Sequence, residues 1–291
     1  MKSKSAGKVR LTSYDDLFGE DNGNVQGQYT TIPLSQLHSF KNHPFRVMDD
    51  EKMQETVESV EQYGIIQPGI VRPCESGYEV VAGHRRWRAC ELAGLTEMPV
   101  IIRELDDDAA TVLMVDTNIQ RENILPSEKA RAYKMKYEAM KHQGSKGDKH
   151  TAEAVGEKAG DSGRTVQRYI RLASLTDGLL DMVDEGKIAM SAGERLSYLT
   201  EQEQTWVVEA VQNADIYPST IQAEQLKELS QNGELTEGNV YAALVKKEND
   251  GQSVTISSKK IRNYFPSAYT KAQIEEVIYS LLDQWKQGKE G

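Results

Sequence analysis

The sequence predicts an α+β fold. It combines a small mixed sheet with helices, an all-α middle domain built on a helix-turn-helix, and a small C-terminal α/β or helical segment. Three observations predict it. Short apolar runs at Thr31–Leu34, Ile70–Arg72, Tyr78–Ala82 and Met98–Glu104 alternate with helical periodicity, as strands and helices do in a layered module. From Asp107 to Asn249 the periodicity is helical almost throughout. Within that run, Ala152–Ile170 has the outline of two short helices joined by a glycine turn. The resulting divisions are a tail over 1–28, a first domain over 29–123, a helical domain over 124–249 and a terminal segment over 250–291.

Taken in order, residues Met1–Gln28 are rich in Gly, Ser, Asn and charge and read as a mobile tail, with Lys2, Lys4, Lys8 and Arg10 as its basic residues. Order begins at Tyr29. A strand at Thr31–Leu34 is followed by a loop, Phe40–Arg46. Asp49 or Asp50 caps a helix in which Met53, Val57 and Val60 recur at helical spacing, and Gly64 ends it. Gln67-Pro-Gly69 leads tightly into the strand Ile70–Arg72, and Ser76-Gly77 turns the chain into Tyr78–Ala82. A helix over Asp107–Ile119 has Ala109, Val112, Leu113 and Val115 on its apolar face, and Pro126 opens another that runs to about His142. Gly186, Thr200, Pro218 and Gly233 mark the joints of the later helices. Glu248–Ser253 is a linker, Val254–Ile256 a short strand, and Thr270–Lys286 a final helix with a wide apolar face suited to packing on a partner chain or on its own domain.

Composition narrows the function. A chain of 291 residues with 38% apolar and 27% charged residues fits a soluble protein of two or three domains. No apolar run is long enough to span a bilayer, and Met1–Lys8 has no apolar segment after its basic residues, so it is no secretory signal. Cys74 and Cys90 form neither a disulfide framework nor a zinc pattern, which points to the cytoplasm. The net charge of −10 argues against a whole-molecule polyanion binder but leaves room for local basic patches.

Two such patches stand out. After the strand Tyr78–Ala82, Gly83 opens a helix whose first turns carry Arg85, Arg86 and Arg88. A glycine lets a ligand approach the backbone, and a helix start offers unpaired N–H groups and a positive dipole end. Arginines there make an anion site, for which phosphate is the usual occupant. A solvated basic helix start is the plainer reading. At the end of the Asp107–Ile119 helix, Asn118, Gln120 and Arg121 have the chemistry to contact phosphate or its magnesium. The second patch is the helix-turn-helix. Val155, Gly156 and Ala159 pack its first helix, Gly160 turns and Ser162 caps the second, and Val166 points inward. Arg164, Thr165, Gln167, Arg168 and Arg171 then face outward, chemistry that suits bases and phosphates. The second helix lacks acid in an acidic chain, which favours DNA binding over a plain helical hairpin.

These motifs in their order resemble the ParB family of partition proteins over roughly Tyr29–Leu199. Ile32–Leu37 resembles the family's opening strand, and Gly64-Ile-Ile-Gln-Pro-Gly-Ile-Val-Arg72 its first nucleotide motif. Gly83-His-Arg-Arg-Trp-Arg-Ala89 resembles its phosphate motif and Asn118-Ile-Gln-Arg-Glu-Asn-Ile-Leu-Pro126 its third, with the helix-turn-helix following in place. The resemblance implies a ParB/sulfiredoxin-like first domain and a CTP-dependent sliding clamp. It further implies a homodimer on a palindromic centromere-like site in double-stranded DNA, with a ParA-type ATPase as partner in the cytoplasm. By position Gln67, Gly69, Gly83, His84, Arg85, Arg86, Gln120 and Arg121 are the nucleotide candidates, and Asn118 is the candidate for triphosphate and Mg2+. Two departures matter. His84 stands where the family has a glutamate, and Thr117 replaces the glutamate before Asn118 that is implicated in hydrolysis. Nucleotide binding without efficient hydrolysis is therefore expected. The rivals are a helix-turn-helix transcription regulator with no working nucleotide site, and a sulfiredoxin-like enzyme. The latter needs a cysteine beside the phosphate motif, where Ala82, Gly83 and His84 stand instead.

Overall fold

The computed structural model describes residues 29–121, 123–144, 147–245, 264–266 and 269–287. They belong to two units, Met1–Val245 and Lys246–Gly291.

The first unit opens with a five-stranded mixed sheet: β1 (Thr30–Pro33), β2 (Leu37–Ser39), β3 (Gly69–Cys74), β4 (Gly77–Ala82) and β5 (Glu97–Ile102), in the order β1-β5-β3-β4-β2. β1 and β5 pair antiparallel, as do β3 and β4, whereas β3 with β5 and β2 with β4 run parallel. β2 falls in a stretch that no sequence pattern separates from the loop. It has three residues and one buried side chain, Leu37, so no alternation was there to read.

Helix α1 (Glu51–Tyr63) starts where Asp50 accepts a hydrogen bond from Met53 N at 2.9 Å and stops at Gly64, whose φ is 71°. It buries Met53 and Val60 against one face of the sheet, beside Val71, Val80, Met98 and Val100. Each such side chain contributes about 1.5–3 kcal/mol by leaving water. Helix α2 (His84–Leu92) follows β4 directly and adds Ala89 and Cys90 to this layer.

The other face of β3 and β4 is covered by α3 (Asp107–Asn118) and α4 (Pro126–His142), then α5 (Asp148–Gly156) and α6 (Gly163–Leu172). Ile70, Val81 and Ala82 of the sheet share one apolar cluster with Met114, Tyr133, Val155 and Val166. The core is thus continuous across residues 123 and 124, where the sequence suggested a domain division. Helices α7 (Asp177–Asp184), α8 (Met190–Leu196), α9 (Glu201–Ala214), α10 (Thr220–Gln231) and α11 (Glu237–Val245) close on a separate cluster around Leu172, Leu179, Leu196, Val207 and Leu226. Thr200 and Ser219 each complete a reciprocal cap with the side chain three residues on, and Gly186 and Gly233 take positive φ at helix ends.

In the second unit, α12 (Lys271–Gln287) matches the expected final helix, with Tyr279, Leu281 and Trp285 exposed. The strand expected at Val254–Ile256, the tail over 1–28 and the linker over 248–253 lie outside the described residues. No described helix is long and apolar enough to cross a membrane.

Candidate functional site

The β3–β4 hairpin ends against α2 and α3 at a cavity of about 240 Å³ lined by Ile70, Ala82, Gly83, Arg85, Arg86, Thr117, Asn118 and Arg121. Ile70 and Ala82 face each other in the strand register. Gly83 then turns the chain with φ 105° and ψ 20°, the left-handed region, and a Cβ there would lie 3.2 Å from Gly69 Cα. Both glycines are therefore dictated by close backbone approach. Gly83 leaves the first N–H groups of α2 without a side-chain cap.

Three guanidinium groups surround this helix start. Arg86 Nη1 donates to the carbonyls of Gln67 at 2.6 Å and Pro68 at 2.8 Å, which pins the Gln67–Gly69 segment to α2. Arg85 holds only a long contact, 3.3 Å, to Asp50. Arg121, at the end of α3, lies over the Phe45 ring at 5.9 Å. Burial lowers its pKa, and the nearby positive charges of Arg85 and Arg86 lower it further. Like charges gathered at a half-buried site raise the energy of the empty state, and a polyanion relieves it.

The opposite wall is neutral. Asn118 is 2% exposed, and its Nδ2 donates to Met114 O at 2.7 Å, so its orientation is fixed with the amide oxygen left over. The Thr117 hydroxyl turns back on the helix, 3.0 Å from both Leu113 O and Met114 O. Asp116 is occupied elsewhere, 2.5 Å from Lys136 Nζ, and Lys136 also donates to Val155 O. No carboxylate is among the described residues that line the cavity, and no described group of three or more His, Cys, Asp or Glu could hold a metal. The lining suits a triphosphate. For Mg2+ the described lining offers one amide oxygen, that of Asn118, so nucleotide phosphate oxygens and water would complete its shell.

The other nucleotide candidates fall outside the lining. Gln67 contributes its carbonyl to Arg86, and Gly69 backs Gly83. Gln120 donates to Lys158 O at 3.0 Å, toward the helix-turn-helix. His84 is 4% exposed, and its ring lies 3.9 Å from that of His43. Burial, then His43 and Arg121, push its pKa down to about 3, so it is a neutral wedge and not a charged phosphate ligand. His43 was not singled out in the sequence; the Phe40–Arg46 loop gave no period, and only its neighbours Phe40 and Phe45 hinted at burial.

The helix-turn-helix is built as its spacing suggests. α5 passes through a short 3-10 turn (Glu157–Ala159) to Gly160 at φ 70°, and Ser162 accepts from Thr165 N to start α6. A Cβ on Gly156 would collide with Asp161 O, so α5 and the turn before α6 touch backbone to backbone. Asp161, an unusual turn residue, is held by the Tyr133 hydroxyl at 2.5 Å and Lys129 Nζ at 2.6 Å. Of the five outward candidates, Arg164 and Gln167 are exposed. Thr165 sits 2.9 Å from the Ser162 hydroxyl, Arg168 Nε donates to Glu194 at 2.8 Å, and Arg171 lies over the Tyr198 ring at 3.8 Å. The spacing put all five on one face; it could not show that α8 would engage Arg168, and the segment after it Arg171.

Two family models match the chain: the ParB N-terminal domain over residues 19–119 and the ParB HTH domain over residues 122–231. A chromosome-partitioning protein Spo0J from Thermus thermophilus is 32% identical over 197 residues, covering 68% of this chain and 69% of that one. A probable chromosome 1-partitioning protein ParB from Deinococcus radiodurans is 34% identical over 200 residues, covering 69% and 66%. The stage 0 sporulation protein J of Bacillus subtilis is 36% identical over 165 residues, covering 57% and 56%. The chain thus spans between about half and about two thirds of these relatives' lengths. Among solved structures, the C-terminally truncated chromosome-partitioning protein ParB of Caulobacter crescentus complexed to the centromeric parS site is 25% identical, with TM-score 0.42, over 68% of this chain and 98% of that one.

Proposed function

This chain belongs to the ParB family, and on that premise we propose that it is a CTP-binding DNA clamp of chromosome or plasmid segregation. In this reading the cavity between α2 and α3 takes the nucleotide triphosphate, and α6 reads a centromere-like palindrome in double-stranded DNA. The active form is a homodimer in the cytoplasm, and a ParA-type ATPase is its partner.

The observation that carries the reading is that Gly83, Arg85 and Arg86 share one cavity with Asn118 and Arg121, although 31 or more residues of chain separate the two groups. The helix start and three guanidiniums supply the positive field that a triphosphate needs. The preference for cytosine comes from the family resemblance, since the phosphate chemistry would serve any nucleoside triphosphate. Mg2+ has no evident protein-held seat in the described lining, so no step is assigned to it. Thr117 and the Lys136-bound Asp116 leave the described wall without a base to orient water. Binding is therefore proposed to be retained and hydrolysis weak.

Calorimetry with CTP, ATP, GTP and UTP, on wild type and Arg85→Ala, tests the assignment. CTP selectivity that is weakened in the variant supports it. Equal binding by wild type and variant would overturn the site, and binding without base preference would overturn the CTP assignment.

A further inference from the structure

The exposed and half-buried cations of the helical region are not equivalent. Arg168 is committed to Glu194 at 2.8 Å. Arg195 pairs with Glu224 and lies 3.6 Å from Glu194, and Lys227 is 2.8 Å from Glu224. Arg171 alone in this strip makes no ion pair among the described residues. Its Nε is buried without a hydrogen-bond partner, and its guanidinium is laid on the Tyr198 ring, 3.8 Å from the centroid. Lys227 Nζ lies 4.8 Å from the same centroid, and Tyr198 remains 42% exposed.

A guanidinium stacked on an aromatic ring keeps its N–H edge free, and that edge matches two phosphate oxygens. Stacking also removes the rotamer freedom that an arginine otherwise loses on binding. Position sharpens the argument. Arg164 and Gln167 lie in the first turns of α6, the part of a recognition helix that reaches base edges. Arg171 lies seven residues on, about 10 Å along the axis. There it leans onto the segment after α8, where a groove-bound helix meets the flanking backbone.

We propose that Arg171 and Tyr198 form a clamp for a DNA backbone phosphate flanking the bases read by Arg164 and Gln167, with Lys227 adding positive charge behind the ring. The proposal rests on the DNA-binding reading above and divides its labour. Arg164 and Gln167 specify, Arg171 and Tyr198 position, and Arg168 is a positioning residue that ties α6 to α8 through Glu194.

The test uses the full chain, a duplex selected by the wild type from a randomised library, and a shuffled duplex of equal length, each titrated across a salt series. Arg171→Ala is expected to weaken both duplexes by the same factor, about tenfold, as for loss of a charged hydrogen bond. It should also reduce the slope of log K against log salt by about one. Tyr198→Ala should weaken both duplexes alike, and Tyr198→Trp, which keeps a ring under the guanidinium, should restore binding. Arg164→Ala should instead reduce the preference for the selected duplex. The clamp is overturned if Arg171→Ala leaves both affinities unchanged or mainly erodes that preference. If the wild type enriches no sequence and binds neither duplex, the DNA reading itself fails, and the clamp with it.

Discussion

The imidazole of His84 packs on that of His43 with ring centroids 3.9 Å apart, and neither nitrogen of His84 has a hydrogen-bond partner in its buried position. The pair ties the Phe40–Arg46 loop to the first residue of α2, directly behind Gly83. The two ring planes are tilted by 39°.

This pair should make stability fall in mild acid. His84 has a folded pKa of about 3, set first by burial, against 6.5 in the unfolded chain, and that of His43 is also lowered. The unfolded state then binds more protons, so stability is full above pH 6.5 and is lost as pH falls toward 3. For His84 the loss at pH 5 is about 2 kcal/mol. Urea unfolding at pH 8 and pH 5 reads it, and His84→Gln should flatten the difference; an unchanged difference would remove His84 as its source.

Arg85 and Arg86 should separate by their second roles. Arg85→Ala removes a cavity charge held only by a long contact to Asp50, so nucleotide affinity should fall about tenfold or more with little change in melting temperature. Arg86→Ala also frees the Gln67 and Pro68 carbonyls, so the melting temperature should fall as well. Calorimetry beside thermal unfolding distinguishes them, and equal stability losses would contradict the assignment.

Gly156→Ala should cripple DNA binding and spare the nucleotide site. The added Cβ would collide with Asp161 O and lie 2.9 Å from Val166 Cγ2, so α5 and α6 must part. Overpacking of this kind costs about 1–3 kcal/mol. Duplex binding should be lost while CTP affinity stays within about twofold; CTP binding lost in parallel would mean that the damage is global.

CTP turnover by the wild type should stay near background in a phosphate-release assay. Thr117 offers a hydroxyl already engaged with Leu113 and Met114 carbonyls, and Asp116 is held by Lys136. Turnover at the level of other family members, abolished by Asn118→Ala, would show that another group serves as base.

Much was legible in the residues themselves. Asp50, Ser162 and Thr200 cap their helices through hydrogen bonds that span three residues, and Gly64, Gly160, Gly186 and Gly233 end or turn segments through their own φ. Such signals are local, so sequence carries them. The same is true of Gly83 followed by arginines, because a helix start attracts anions wherever it sits.

Sequence by itself therefore determined most of the elements, a basic helix start with the chemistry of an anion site, and the helix-turn-helix. Tertiary structure decided which cations remain available. It turned Arg168 to Glu194 and laid Arg171 on Tyr198, carried Gln120 to the Lys158 carbonyl and paired His84 with His43. Each of the four contacts joins residues from 26 to 41 positions apart, and spacing along one helix specifies a face without specifying what another element will place against it.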